Sequence, residues 1–190
     1  KPCAWRALSS MSLTSVSVMP DRLPFGAMTL PDRDDYYLAL AFAAARRANC
    51  RGRKVGAVLV KGDRVIATGY NGTPKGLPNC LDGGCLRCAD RDQFVSGTGY
   101  DLCICVHAEA NALLTAGRYG ASTDGAIVYT TDQPCFSCSK ELIQAGVSKV
   151  FFARTWAPDA RVLDDYRRLQ ERLAAEHVPT EYEIMSIDPD

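Results

Sequence analysis

The sequence predicts an α/β domain of three layers, with helices on both faces of a mixed five-stranded sheet. Three observations lead there. An apolar hairpin comes first. After it, short apolar runs alternate with helical periods, the pattern of strands fed by crossover helices. And 190 residues at 47% hydrophobic content are enough to bury one full core.

In chain order, residues 1–31 carry five serines between Ser9 and Ser17, four prolines, and no acidic residue before Asp21. This basic, Ser-rich leader resembles an organelle transit segment. No amphipathic period runs through it, so a flexible extension is the favoured reading, with the folded domain at 32–190. Tyr36, Leu38, Ala39, Phe42 and Ala43 have helical spacing, and Asp32 or Asp34 is available as cap, giving a helix over 33–48. Val55–Val60 and Val65–Tyr70 flank Lys61-Gly62-Asp63 and read as a hairpin rich in β-branched residues. Further on, a helix is expected from His107 to a glycine cap at Gly117, a buried strand over 126–130, and a helix from Cys135 to Ala145 stopped by Gly146. A strand over 149–153, a helix over 159–176 with Val162, Leu163, Tyr166, Leu169 and Leu173 in period, and a last strand over 181–187 complete the count. His177, in a polar setting, reads as a surface residue.

Residues 73–106 have little periodicity and many glycines, and a loop that long needs another source of order. Cysteines supply one. Cys80, Cys85, Cys88, Cys103 and Cys105, with Cys50 upstream, have the C-x4-C-x2-C…C-x-C spacing of a structural zinc site. Six candidates exceed one tetrahedron, so either two are spectators or two ions share thiolates; at least two zinc ions per chain are expected, and three are allowed. Nine cysteines in a secreted chain would read as disulfides. Beside a metal motif they read as reduced ligands in an intracellular, cytoplasmic protein, with organelle targeting left to the leader.

The chemistry gathers between His107 and Cys138. His107, Cys135 and Cys138 are three zinc ligands of the kind a catalytic site uses while keeping its fourth position for water. Cys135 and Cys138 stand one helical turn apart and share a face. A helix starting just after Pro134 would hold both sulfurs deprotonated at its positive end. Glu109 lies two residues from His107, about 200° around a helix, which casts it as the group reaching the water and not as a fourth ligand. His-x-Glu followed by Pro-Cys-x-x-Cys resembles the signature of zinc-dependent nucleobase deaminases.

Val55-Gly56-Ala57, Gly69-Tyr70-Asn71-Gly72, His107-Ala108-Glu109-Ala110-Asn111-Ala112 and Pro134-Cys135-x-x-Cys138 with Ile143-Gln144-Ala145-Gly146 together resemble the deoxycytidylate deaminases, over roughly residues 34–187. The cysteine run from Asn79-Cys80 to Cys103-Ile104-Cys105 resembles a cysteine-rich subgroup that includes fungal members, and relatives in the family carry a second, non-catalytic zinc near this insertion. The resemblance implies a cytidine-deaminase-like fold and zinc-dependent hydrolysis of dCMP to dUMP and ammonia, feeding thymidylate synthesis. It further implies a homo-oligomer, commonly a hexamer, activated by dCTP and inhibited by dTTP. Under it, Glu109 is the proton shuttle, backbone groups near Ala108 and Pro134 read the base edge, and Asn71 holds the sugar. Arg51, Arg53, Lys54 and Arg118 are phosphate candidates. Arg47-Ala48-Asn49-Cys50-Arg51 carries Ala-Asn where many relatives have Ser-Thr, so phosphate contacts do not transfer there.

Competing readings are a deaminase of dCTP, of tRNA adenosine, of guanine or of a pterin-like base, and a non-catalytic zinc scaffold. Lysine plus arginine equals aspartate plus glutamate at 22 each, against a protein that holds long nucleic acid. An intact Glu109 disfavours the scaffold. No apolar run is long enough to span a membrane.

Overall fold

The computed structural model describes residues 30–94, 99 and 102–180. Helix α1 (Arg33–Ala45) begins at Asp32, whose carboxylate accepts from the Asp34 N–H. Strands β1 (Gly56–Lys61) and β2 (Arg64–Tyr70) form the expected hairpin, closed by Gly62 and Asp63 at φ of 55° and 59°, the mirror-image turn that suits twisted strands. A one-turn helix, α2 (Leu86–Ala89), lies in the cysteine-rich insertion. Then follow α3 (Ala108–Arg118), β3 (Ile127–Asp132), α4 (Phe136–Gln144), β4 (Lys149–Arg154), α5 (Leu163–Arg172) and β5 (Glu176–His177).

The five strands form one sheet in the order β2-β1-β3-β4-β5. β1 is antiparallel to β2 and to β3, whereas β3, β4 and β5 are parallel, so the sheet is mixed as predicted. Side chains alternate between two cores. Val58, Val60, Tyr129 and Phe151 pack under α1 with Tyr37, Leu38 and Ala41. Ala57, Leu59, Val128, Val150 and Phe152 pack on the other face with Ala108, Ala112 and Ala116 of α3, Leu142 of α4 and Leu173 just beyond α5.

Helix α3 lies close to the sheet, as α1 does at Gly56. A Cβ built on Gly69 would stand 2.1 Å from the Ala108 carbonyl oxygen and 2.5 Å from the Ala112 nitrogen. Only a residue without a side chain lets the first turn of α3 settle there, and that turn carries His107 and Glu109.

Several boundaries differ from the sequence reading. α3 runs through Gly117 and stops at Gly120, which takes φ 72°; Ala121 N–H bonds the Ala116 carbonyl at 2.9 Å, and Gly120 N–H the Gly117 carbonyl at 3.2 Å. α5 ends at Arg172, four residues early, because Ala174 turns left-handed at φ 43° and closes the same kind of cap. The chain then enters the sheet at once: β5 is Glu176–His177, so His177, though exposed, is a strand residue. The strand expected over 181–187 and nearly all of the N-terminal extension lie outside the described residues.

The insertion leaves and returns at one point. Gly72 and Val106 pair through N–H···O bonds of 3.1 and 2.8 Å, a single bridge that clamps both its ends. Asn49 ties it down: the side-chain amide bonds Asn79 at 2.8 Å and accepts from Thr73 N–H at 3.1 Å, and its carbonyl accepts from Leu81 N–H at 3.0 Å. Among the described residues no helix is long and apolar enough to cross a membrane.

Candidate active site

The C-terminal end of β3 and the N-terminal ends of α3 and α4 converge, and the predicted triad sits where they meet. His107 is the N-cap of α3 and Cys135 the N-cap of α4, with Cys138 one turn on. Each sulfur lies 3.4 Å from His107 Nδ1. A tetrahedral zinc with ordinary bond lengths would set nitrogen–sulfur edges of about 3.5 Å, so the donor set fits that ion. Cys135 is brought down to about 4, first by the hydrogen bond from Cys138 and then by His107, whose own value is raised to about 9 chiefly by Cys135. Cys138 is pushed up by its bond to Cys135 and by burial.

Glu109 stands outside this trio of donors. It is 4% exposed, and burial is the main cause that raises its carboxyl to about 7. A carboxyl balanced between its two forms near neutrality is suited to take and return a proton.

The turn at Pro134 follows the sequence reading, with the helix starting just after it. Because Cys135 is the cap, Pro134 precedes the helix. Its carbonyl is directed inward, accepting from Tyr166 Oη at 2.7 Å and Ser139 Oγ at 3.3 Å, which leaves it poorly placed to read a base. α5 thereby braces the ligand turn: Tyr166 holds Pro134, Gln170 bonds Ser139 at 2.8 Å, and Trp156 packs edge-on against Tyr166.

From the triad a cleft of about 890 Å³ opens, a volume ordinary for small-molecule sites. His107, Ala108, Glu109 and Cys135 line it. Asn71 lines it too, but its amide is engaged with the neighbouring backbone: Oδ1 accepts from Val55 N–H at 2.9 Å, and Nδ2 donates to the Arg53 carbonyl at 2.8 Å. Asn71 therefore shapes the Arg53–Val55 wall. Of the four basic candidates, Arg53 lines the cleft and Arg51, Lys54 and Arg118 do not. Arg118 sits at the far end of α3, about 15 Å along the axis from the triad.

Sequence reasoning missed several cleft residues. Asp132, 6% exposed at the end of β3, holds Arg53 at 2.9 Å and Arg154 at 2.6 Å. Arg87, Arg91 and Phe94 come from the insertion, with the Arg87 guanidinium 5.4 Å from the Phe94 ring centre. Gln133 and Trp156 also line the cleft. Nothing local marks these arginines among 22 basic residues; only the fold turns the insertion toward the triad. Its wall there includes Cys50, Cys88, Cys103 and Cys105.

Residues 31–154 match the family described as the cytidine and deoxycytidylate deaminase zinc-binding region. The chain belongs to this family. Among relatives of this deaminase family, it is 46% identical over 130 residues to the deoxycytidylate deaminase of Schizosaccharomyces pombe and 42% identical over 147 residues to that of Saccharomyces cerevisiae. Those matches cover 68% and 77% of this chain but 39% and 46% of the two yeast proteins, so the chain spans under half their length. The dCMP deaminase of cyanophage S-TIM5, solved in complex with dCMP and dUMP, superposes with a TM-score of 0.59 at 30% identity, covering 80% of this chain and 100% of the phage chain.

Proposed function

We propose that this chain, with residues 32–190 as its catalytic domain and 73–106 as a zinc-binding insertion within it, hydrolyses dCMP to dUMP and ammonia. The observation that carries the reading is a buried carboxyl, Glu109, standing beside but outside a His-Cys-Cys donor set, in a cleft that Arg53, Arg87 and Arg91 also line. The likeness to a phage enzyme solved with dCMP and dUMP supports it.

His107, Cys135 and Cys138 would hold the catalytic zinc. When bound, that zinc brings the pKa of a water toward about 7 and so supplies the nucleophile for C4 of cytosine. Glu109 accepts the proton from the attacking water and passes it to ring N3. It then takes the remaining proton from the oxygen now bonded to C4 and delivers it to the exocyclic amine, which departs as ammonia when the C4–N bond breaks and leaves a C4 carbonyl. The first turn of α3, pressed on Gly69, holds the Glu109 carboxyl still. Arg53, oriented by Asp132, and Arg87 and Arg91 take the phosphate, and their charge favours nucleotides over nucleosides. At least one further zinc belongs to the cysteine cluster of the insertion. From the resemblance we carry the proposal of a homo-oligomer, a hexamer, activated by dCTP and inhibited by dTTP; sedimentation and rates with each effector test it. An intracellular location is supported by eight cysteines among the described residues, none of them in a disulfide.

Ammonia release from zinc-loaded protein across dCMP, dCTP, CMP, deoxycytidine and guanine tests the assignment. The expected order puts dCMP first and deoxycytidine far behind. A higher kcat/KM for dCTP moves the assignment to the triphosphate, and equal values for deoxycytidine and dCMP overturn the nucleotide reading.

A further inference from the structure

Outside the triad, Cys50, midway along the α1–β1 connection, meets Cys80, Cys85, Cys88, Cys103 and Cys105 of the insertion. Five of the six are buried and Cys103 is half-buried. Their sulfurs form two quartets: Cys50, Cys80, Cys88 and Cys105, and Cys85, Cys88, Cys103 and Cys105, with all ligand atoms in each within 4.8 Å of one another. Two tetrahedra need eight corners. Six residues fill them because Cys88 and Cys105 belong to both quartets.

The spacing is that of metal thiolates. Sulfurs lie 3.9 Å apart for Cys50 and Cys88, 3.7 Å for Cys85 and Cys103, and 3.9 Å for Cys88 and Cys103. A tetrahedron with zinc–sulfur bonds of about 2.3 Å has edges of about 3.8 Å. Disulfide sulfurs would stand about 2.05 Å apart. We infer that the insertion is built on a binuclear zinc centre in which Cys88 and Cys105 bridge two ions, Cys50 and Cys80 complete one, and Cys85 and Cys103 complete the other. This deepens the reading that the insertion holds at least one zinc, and it rests on that reading.

Two further observations favour two ions over one. A single ion in either quartet would strand a pair of thiols from the other, Cys85 with Cys103 or Cys50 with Cys80, in ligand geometry without a metal. Backbone N–H groups also reach three of the four terminal sulfurs: Gly52 to Cys50 at 3.4 Å, Arg51 to Cys80 at 3.3 Å, and Cys88 and Ile104 to Cys85. Such donors steady thiolates that carry more negative charge than one metal bond removes. Charge presents no obstacle. Two dications with six thiolates leave a net dianion, the same as one dication with four thiolates and two neutral thiols. The second zinc enters as two thiols each lose a proton to solvent, and the buried charge does not change.

The centre has a consequence for the cleft. α2 is a single turn between Cys85 and Cys88, so Arg87 stands between two ligands. Fixing those sulfurs fixes the guanidinium that faces Phe94.

Native mass spectrometry with elemental analysis counts the ions on the full chain. Three zinc per chain are expected, and two in Cys135→Ser/Cys138→Ser, which lacks the catalytic ligands. Two in the unaltered chain, or one in the variant, overturns the binuclear centre. Cadmium-113 exchange of the unaltered chain needs no variant. Proton–cadmium correlation should then couple the β-protons of two cysteines, Cys88 and Cys105, each to two cadmium nuclei. A spectrum in which every cysteine couples to at most one ion overturns the proposal. These readouts stand apart from the substrate assignment, since failure to deaminate dCMP would leave the ion count at three. A single ion in the unaltered chain would instead remove the structural zinc altogether.

Discussion

In the proposed reaction Glu109 must be a base when water attacks and an acid when ammonia leaves. Burial makes one carboxyl serve both ends by lifting it to about 7, where neither form is strongly preferred. Glu109→Gln keeps the volume and removes the shuttle. Turnover should fall by about 10²–10⁴-fold while zinc content and the unfolding midpoint stay within error. Activity above a tenth of the parent would show that the proton travels another way. Asp132 acts at the opposite end of the chemistry. It is buried between Arg53 and Arg154, and its charge draws Arg53 against the cleft wall. Asp132→Asn should raise KM for dCMP by about tenfold, as expected on losing charge-assisted positioning, and leave deoxycytidine kinetics nearly unchanged. Equal losses on both substrates would mean that Asp132 supports the sheet end and not the phosphate site. Glu109 was legible from its two-residue offset to His107. Asp132 was not, because an aspartate ending an apolar run reads as a turn residue until β4 brings Arg154 beside it.

At the scale of elements, the chain was legible wherever a period and a stop signal coincide. The hairpin, α4 with its Gly146 cap and strand β4 fall within a residue or two of expectation because glycine or charge ends each run. Two of the misses come from residues whose conformation their type does not announce. Ala174 takes a left-handed conformation and ends α5, whereas Gly117 stays inside α3 with open space about its Cα. Gly69 looked like an ordinary member of a strand, yet it sets the depth of the catalytic helix. Gly69→Ala would drive a methyl group into the Ala108 carbonyl, a backbone atom that cannot rotate away. α3 must then lift from the sheet, carrying His107 and Glu109 with it. Destabilisation of about 1–3 kcal/mol by denaturant titration is expected. Because a misplacement of about 1 Å can cost 10²-fold in rate, kcat should fall by roughly that factor. Unchanged kcat in the folded variant would show that the helix start is not held by this contact.

At the scale of the molecule, the insertion changes meaning between sequence and fold. In the sequence, residues 73–106 read as a loop whose order comes from a structural zinc site. In the fold, the Gly72–Val106 bridge and the Asn49 tether fold it back, so that Arg87, Arg91 and Phe94 join the same cleft as the triad. Under the proposed function the two donor clusters have separate roles. The triad serves the base, and the cysteine cluster holds a wall where the phosphate is proposed to bind. Cys85→Ser/Cys88→Ser separates them, since it removes cluster ligands and leaves His107, Cys135, Cys138 and Glu109 intact. Hydrogen exchange should rise across residues 79–93, where order depends on the metal, while β1, β3 and β4 keep their protection. Kinetically, kcat/KM for dCMP should fall at least about tenfold, mainly through KM, because binding remote from the reacting carbon is what was removed. Deoxycytidine, which has no phosphate to lose, should change by less than about threefold. If both substrates lost activity together, the cluster would be supporting the triad itself, and the division of labour between the two sites would be wrong.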